Sequence, residues 1–424
     1  MKASSLLEPQ QFGSWLHEPF LARASQPGAE LGRHALGAFL TLRLADRFRP
    51  DEEPSHPLAL AYQVRATRDY LLDLHPHNAE VKYLLEVVRL ADAVQKGGGR
   101  SLLWPPLLGY AHWLEQELQL DEALDVVETS LGLGDGCAPG EEIAALLQRG
   151  RILRQLGRLE EARASYDDGR ARAVVAGDTH SALLGRIGDA IVMRQLGNLP
   201  GSERALRQII GDAERLGDVD ALARAHHDLG AVYNNRREGH RAIPHLYQAF
   251  ELYEDAANRL RALSDVGEAL KAQGHYGAAE DAFLIALNTG GTKQTRAVTM
   301  IALLELSALM DQRLSFARWK KEIEPLAEEL PAERLADFYF QLGLGQAFFG
   351  QAKQAVRSLT KALAVSERHH LNDYAFRIRG ELETVKKTAA RHGAGQGPCR
   401  AEEPLREGAL IEIASKLHAL RMAS

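Results

Sequence analysis

The segment Leu153-Arg-Gln-Leu-Gly-Arg-Leu159 returns forty positions later as Met193-Arg-Gln-Leu-Gly-Asn-Leu199, and Gly177-Asp178 returns in the same register as Gly217-Asp218. Two separate patches repeating at one shift mark an internal repeat. That feature decides how a chain of 424 residues is organised. A single core stops growing near roughly 250–300 residues, so this chain is expected to extend by stacking similar units.

In the same register a small residue is followed twelve positions later by another: Gly150 with Ala162, Ala190 with Ser202, Gly230 with Ala242, Gly267 with Ala279, and Gly343 with Ala355. Two antiparallel helices joined by a tight turn approach closely only where both present small side chains at the crossing. Bulky residues four positions further on, Tyr166, Leu206, Leu246, Phe283 and Leu359, are expected to fill the space toward the next pair. Seven positions after the first small residue stands Gly157, Gly197, Gly274 or Gly350, where a helix can end in the left-handed conformation that glycine adopts without penalty. Arg237 departs from this pattern, with Gly239 two residues on. The expected fold class is all-α, and 45% hydrophobic residues with only 6% aromatics predict a core of Leu, Ala and Val.

These residues resemble the tetratricopeptide repeat. Its clearest copy runs from Gly267 to Ala286, where Gly267, Gly274, Tyr276, Ala279, Phe283 and Ala286 all fall in place. The period exceeds the commoner one of about 34 residues. It is similar to the longer-helixed variant found in kinesin light chains and in bacterial peptide-sensing regulators. The resemblance implies an α-solenoid of antiparallel helix pairs, wound as a right-handed superhelix whose first helices line a concave groove. Two further copies are degenerate: Leu107 to Leu131, with Gly109 and Ala123 separated by two extra residues, and Arg296 to Leu330.

Four segments are expected. Residues 1–100 are helical by pattern but lie outside the register, and read either as divergent repeats or as a helical cap. Residues 101–390 form the array. Residues 391–404, containing His392-Gly-Ala-Gly-Gln-Gly-Pro398, form a linker. Residues 405–424 form an amphipathic helix with Leu410, Ile413, Ala414, Leu417 and Leu420 on one face. That helix is expected to cap the last repeat; the alternative puts it in the groove as a tethered pseudo-ligand.

Counting each crossing residue as the eighth, the resemblance implies that positions five, nine, twelve and thirteen face the groove. They include Arg151, Arg154 and Gln155, then Arg194 and Gln195, then His227, Asn234 and Asn235, then Lys271. Amides offer a donor and an acceptor together and so can pair with an extended peptide's main chain. Arg154, Arg194 and Lys271 favour a carboxylate, either a C-terminus or an acidic side chain, and predict a basic groove. Asparagine is a poor mid-helix residue, so Asn234-Asn235 marks either a ligand contact or an early end of its helix. Phe340 and Phe348 fall at positions five and thirteen, where they form either an apolar anchor site or part of the core.

Composition narrows the partner. With 57 acidic and 51 basic residues, formal charge −6, the chain lacks the dense positive field of a nucleic-acid binder. No apolar run is long enough to span a bilayer, and Cys137 and Cys399 alone build no disulfide framework or cysteine-rich zinc site. These features predict a cytoplasmic protein that needs no cofactor, and the resemblance implies one of bacterial type. His226-His227-Asp228 with His240 and His245 suggests a metal, but adjacent histidines on a helix point apart and no His-Glu-x-x-His pattern is present. There is no P-loop, no Gly-x-Ser-x-Gly elbow, and Gly97-Gly-Gly99 lacks a following Lys-Ser or Lys-Thr. The expected function is therefore a non-enzymatic adaptor that binds a protein or peptide. One alternative is a peptide-sensing regulator. The other is an enzyme built around His17, His34, His75 and His77. Nothing in the sequence decides whether the chain forms a homo-oligomer.

Overall fold

Asp178, Asp218 and Asp255 each stand just before a helix and accept a hydrogen bond from the backbone N–H three residues on, at 2.9, 3.0 and 2.8 Å. Before two of them, Gly177 and Gly217 take left-handed backbone angles, φ 72° and 68°. This explains the repeated Gly-Asp patch: the glycine ends one helix and the aspartate caps the next.

The computed structural model describes residues 16–25, 29–52, 56–74, 78–134, 137–289, 293–369, 371–391, 405 and 408–423. The chain divides into two units, Met1–Ala205 and Leu206–Ser424. No described helix is long and apolar enough to cross a membrane. No strand occurs among the described residues.

The first unit opens with α1 (Glu18–Ala24), α2 (Ala29–Asp46), α3 (Pro57–Leu72) and α4 (Ala79–Gln95). Two helix pairs follow: α5 (Trp104–Gln116) with α6 (Leu120–Gly132), and α7 (Pro139–Gln155) with α8 (Leu159–Ala176). Then come α9 (Thr179–Gln195) and α10 (Leu199–Leu216), in which the boundary between the units falls. One apolar core runs from Phe20 and Leu42 through Leu84, Trp104 and Tyr110 to Leu153. The early helices join the array directly, since α1 and α2 pack on α6 and α4 packs on α5.

The second unit holds four pairs: α11 (Val219–Asn235) with α12 (Gly239–Leu252), α13 (Ala256–Ala272) with α14 (Tyr276–Asn288), α15 (Lys293–Leu309) with α16 (Arg313–Ile323), and α17 (Ala332–Phe348) with α18 (Ala352–Arg368). Then come α19 (Asn372–Arg391), which packs on α18, and α20 (Gly408–Ala423). Each unit is thus a stack of antiparallel helix pairs, the all-α architecture the repeat predicts.

The crossings are as close as the small residues require. A Cβ placed on Gly150, Gly230, Gly267 or Gly343 would come within 2.8, 2.6, 2.6 or 2.7 Å of Tyr166, Leu246, Phe283 or Leu359. The bulky residues therefore seat against the crossing glycine of their own pair. Tyr166 also reaches Gly188 of the next one.

The turns correct the sequence reading in two places. Leu118, Gly157, Gly197, Arg237, Gly274, Asp311 and Gly350 all have positive φ, one between the helices of each pair. Arg237 thus makes the same turn as the glycines, and Gly239 stays small because a Cβ there would meet the Gln273 side chain at 2.5 Å. With Leu118 as the turn, the α5/α6 pair crosses at Ala111 and Ala123, both fully buried and twelve apart. Gly109 is not the crossing residue, and the pair has no two-residue insertion. In α15 and α16 the crossing positions hold Leu304 and Phe316, and Gly345 of α17 supplies the missing space, since a Cβ there would collide with the Phe316 ring.

Candidate functional site

α7 owes its helix to Ala138-Pro-Gly-Glu141: Pro139 is preset for the first turn, and Glu141 Oε2 accepts from the Ala138 N–H at 3.0 Å. The last turns of α7 carry Arg151, Arg154 and Gln155. Arg151 donates from Nε and Nη2 to Glu115 of α5, at 2.6 and 2.7 Å, and Gln155 Nε2 donates to the same carboxylate at 2.6 Å. Both are thus paired within the chain, with Glu115. Arg154 is half-buried and, among the described residues, has no ion pair and no acceptor for its covered Nε. Arg194 is half-buried and Gln195 exposed at the equivalent end of α9. Gln148 escaped the register reading; it is 8% exposed, and its Nε2 has no acceptor among the described residues. Its place three residues before Arg151 was the signal.

In the second unit His227 is buried. Its Nδ1 lies 3.2 Å from the Tyr253 hydroxyl and its Nε2 2.7 Å from Asp265 Oδ2, so it ties α11 to α13. α11 continues to Asn235, as α7 does to Gln155 and α9 to Gln195, so the asparagines do not end their helix early. Asn234 is half-buried and Asn235 exposed, and neither side-chain amide has a hydrogen bond among the described residues.

Lys271 Nζ lies 2.5 Å from Glu305 and 2.8 Å from Glu268. Burial works against its charge, but Glu305 and then Glu268 outweigh that and raise its pKa. Burial pushes the carboxyls of Glu268 and Asp337 up, and Glu305 adds to both effects. The first helices α13 and α15 thus bring two carboxylates against one ammonium, with Asp337 of α17 farther off, where the sequence predicted a basic lining. Phe340, 3% exposed, belongs to a core with Leu359 and Ile378. Phe348 is half-buried, edge-on to Phe349 with ring centroids 5.2 Å apart.

The histidines are dispersed. His226 and His245 stack at 5.1 Å with Nδ1 atoms 2.9 Å apart, an arrangement in which at least one ring must be neutral. Burial and then the neighbouring His245 push His226 down to about 4. His240 is exposed. Among the described residues no group of three or more His, Cys, Asp or Glu is placed to hold a metal. His17 lies between Asp46 and Asp125, His34 lies 3.3 Å from Asn78 Nδ2, and His75, His77 and Cys399 fall outside the described residues.

The terminal helix neither caps the array nor lies along the first helices. α20 packs on the second helices α14 and α12, well before the end of the stack.

Residues 143–168 match the tetratricopeptide repeat family model. No curated protein matches the chain by sequence. Among solved structures the chain is similar to the apo form of the quorum sensor NprR from B. thuringiensis, at 12% identity over 86% of this chain and 99% of that one, with a TM-score of 0.54. It is also similar to the Rap protein complexed with Competence and Sporulation Factor, at 11% identity over 84% and 98%, with a TM-score of 0.46. The likeness to NprR is one of fold.

Proposed function

From the tetratricopeptide-repeat match at residues 143–168 and the stacked helix pairs of each unit, we propose that this chain works as a non-enzymatic interaction module, inside the cell, taking a peptide segment of another protein against its first helices. The observation that carries the reading is the Asn234-Asn235 pair. Asparagine weakens a helix relative to alanine, so two side-chain amides without hydrogen bonds in the last turn of α11 serve something other than the helix. Each presents a donor and an acceptor, the set an extended peptide main chain needs. On the first unit, taken by itself, Arg154 has no ion pair among the described residues and is suited to a carboxylate of a partner, while Arg151 is already held by Glu115.

Affinity capture from the source cell tests this. The unaltered chain should retain a defined partner that the Asn234→Ala/Asn235→Ala variant loses, with helicity and melting temperature unchanged or slightly raised. Arg154→Glu should weaken the same capture and remove its salt dependence. If the double variant retains the same partner to the same extent, the reading fails.

A further inference from the structure

α20 stands apart from the repeats: it lies outside the small-residue register, and sixteen residues separate it from α19. It buries Leu410, Ile413 and Leu417, 4%, 7% and 0% exposed, against α12 and α14. The receiving surface is acidic. Asp281 of α14, itself only 5% exposed, accepts from Arg421 Nη1 at 2.6 Å and lies 3.1 Å from His418 Nδ1. Glu280 lies 3.9 Å from Arg421. Lys416 of α20 sits 3.9 Å from Glu251 of α12 and over the Tyr247 ring of the same helix, 5.7 Å from its centroid. With α20 in place, Asp281, Glu280 and Glu251 face His418, Arg421 and Lys416, so this surface is complementary in charge to a positively charged helix.

We propose that the α12/α14 face is a second docking surface, for a cationic amphipathic helix of a partner protein, and that α20 is its resident occupant, exchangeable for that helix. α20 itself states what the site accepts: apolar residues at i, i+3 and i+7 with a guanidinium at i+11, as in Leu410, Ile413, Leu417 and Arg421. The surface lies on second helices, so the inference is independent of the peptide site on the first helices. The tether gives α20 an effective concentration on the order of 1 mM, against which any partner helix competes. If the site binds such a helix with Kd about 10 μM, the resident weakens outside binding about 100-fold.

The test uses the full chain and a fluorescent peptide of residues 408–423. Leu417→Glu with Arg421→Glu undocks α20, and this variant should bind the peptide about 100-fold more tightly than the unaltered chain does. Adding Asp281→Arg should abolish that binding, and a peptide with its Lys and Arg exchanged for Glu should not bind. No gain on undocking, or a gain that survives Asp281→Arg, overturns the proposal. A second arm leaves α20 unaltered: a protease site placed between residues 392 and 398 frees it from the folded chain. Cut α20 should leave on dilution and be displaced by excess peptide; cut α20 that stays bound throughout overturns the proposal even if the first variant fails to fold. A mass that doubles with concentration would assign the site to α20 of a second copy and refute a foreign helix.

Discussion

Arg151 gives two nitrogens to the two oxygens of Glu115, at 2.6 and 2.7 Å, across the gap between α7 and α5. The Glu115 side chain is only 4% exposed. Removing the arginine therefore strands a buried carboxylate with Gln155 as its remaining hydrogen-bond donor among the described residues and the His112 ring 3.9 Å away. Arg151→Ala should cost about 3 kcal/mol in urea unfolding, and adding Glu115→Gln should restore most of it. Equal losses in the single and double variants would mean that packing, not charge, is what the pair supplies.

His17 joins the start of α1 to α2 and α6 through Asp46 at 2.9 Å and Asp125 at 2.7 Å. Burial opposes its charge, but the hydrogen bonds and charges of Asp125 and Asp46 prevail and raise its pKa to about 9 from 6.5. Because the folded value lies above the unfolded one, the stabilisation is fully present below pH 6.5 and is lost as pH rises through 9. It amounts to at most about 3 kcal/mol. The stability gap between the unaltered chain and His17→Gln should be widest near pH 6 and close above pH 9, as read from urea melts across that range. A gap that does not vary with pH would show that the ring is neutral in the fold.

Glycine is required at some positions and merely present at others. Gly230→Ala and Gly267→Ala press a methyl into Leu246 and Phe283 and should each cost about 1–3 kcal/mol. Gly211, in α10, has nothing within 4 Å of a Cβ, and Gly211→Ala should stabilise by up to about 1 kcal/mol. Thermal melts of the three variants rank them, and a destabilised Gly211→Ala would contradict the packing described.

Three of the turns between paired helices carry a left-handed residue that is not glycine: Leu118, Arg237 and Asp311, at φ 60°, 61° and 57°. Leu118→Gly and Arg237→Gly should each raise stability by about 1 kcal/mol, because the side chain penalises that conformation. Gly157→Ala, at φ 77°, should lose a similar amount. Melting temperatures that move in the same direction for all three would refute the assignment of these turns.

The paired helices, their turns and their closest crossings were legible in the sequence, because each depends on residues within about one repeat. Gly230 and Ala242 meet across a short turn, and Asp218 caps the helix it precedes. Where chemistry substitutes for glycine, pattern alone slips: Leu118 bends as the glycines do, and only its φ puts Ala111 at the crossing.

What tertiary structure decided is the fate of charged groups and of the terminal helix. Lys271 faces outward by register, yet its neighbours on α13 and α15 surround it with Glu268 and Glu305, the latter thirty-four residues away. α20 shows an apolar face in sequence, but which surface receives it depends on where Asp281 and Glu251 stand on folded helices more than a hundred residues earlier. Local sterics repeat with the sequence and can be read from it. Charge pairing and long-range docking depend on distances that exist only once the helices have stacked.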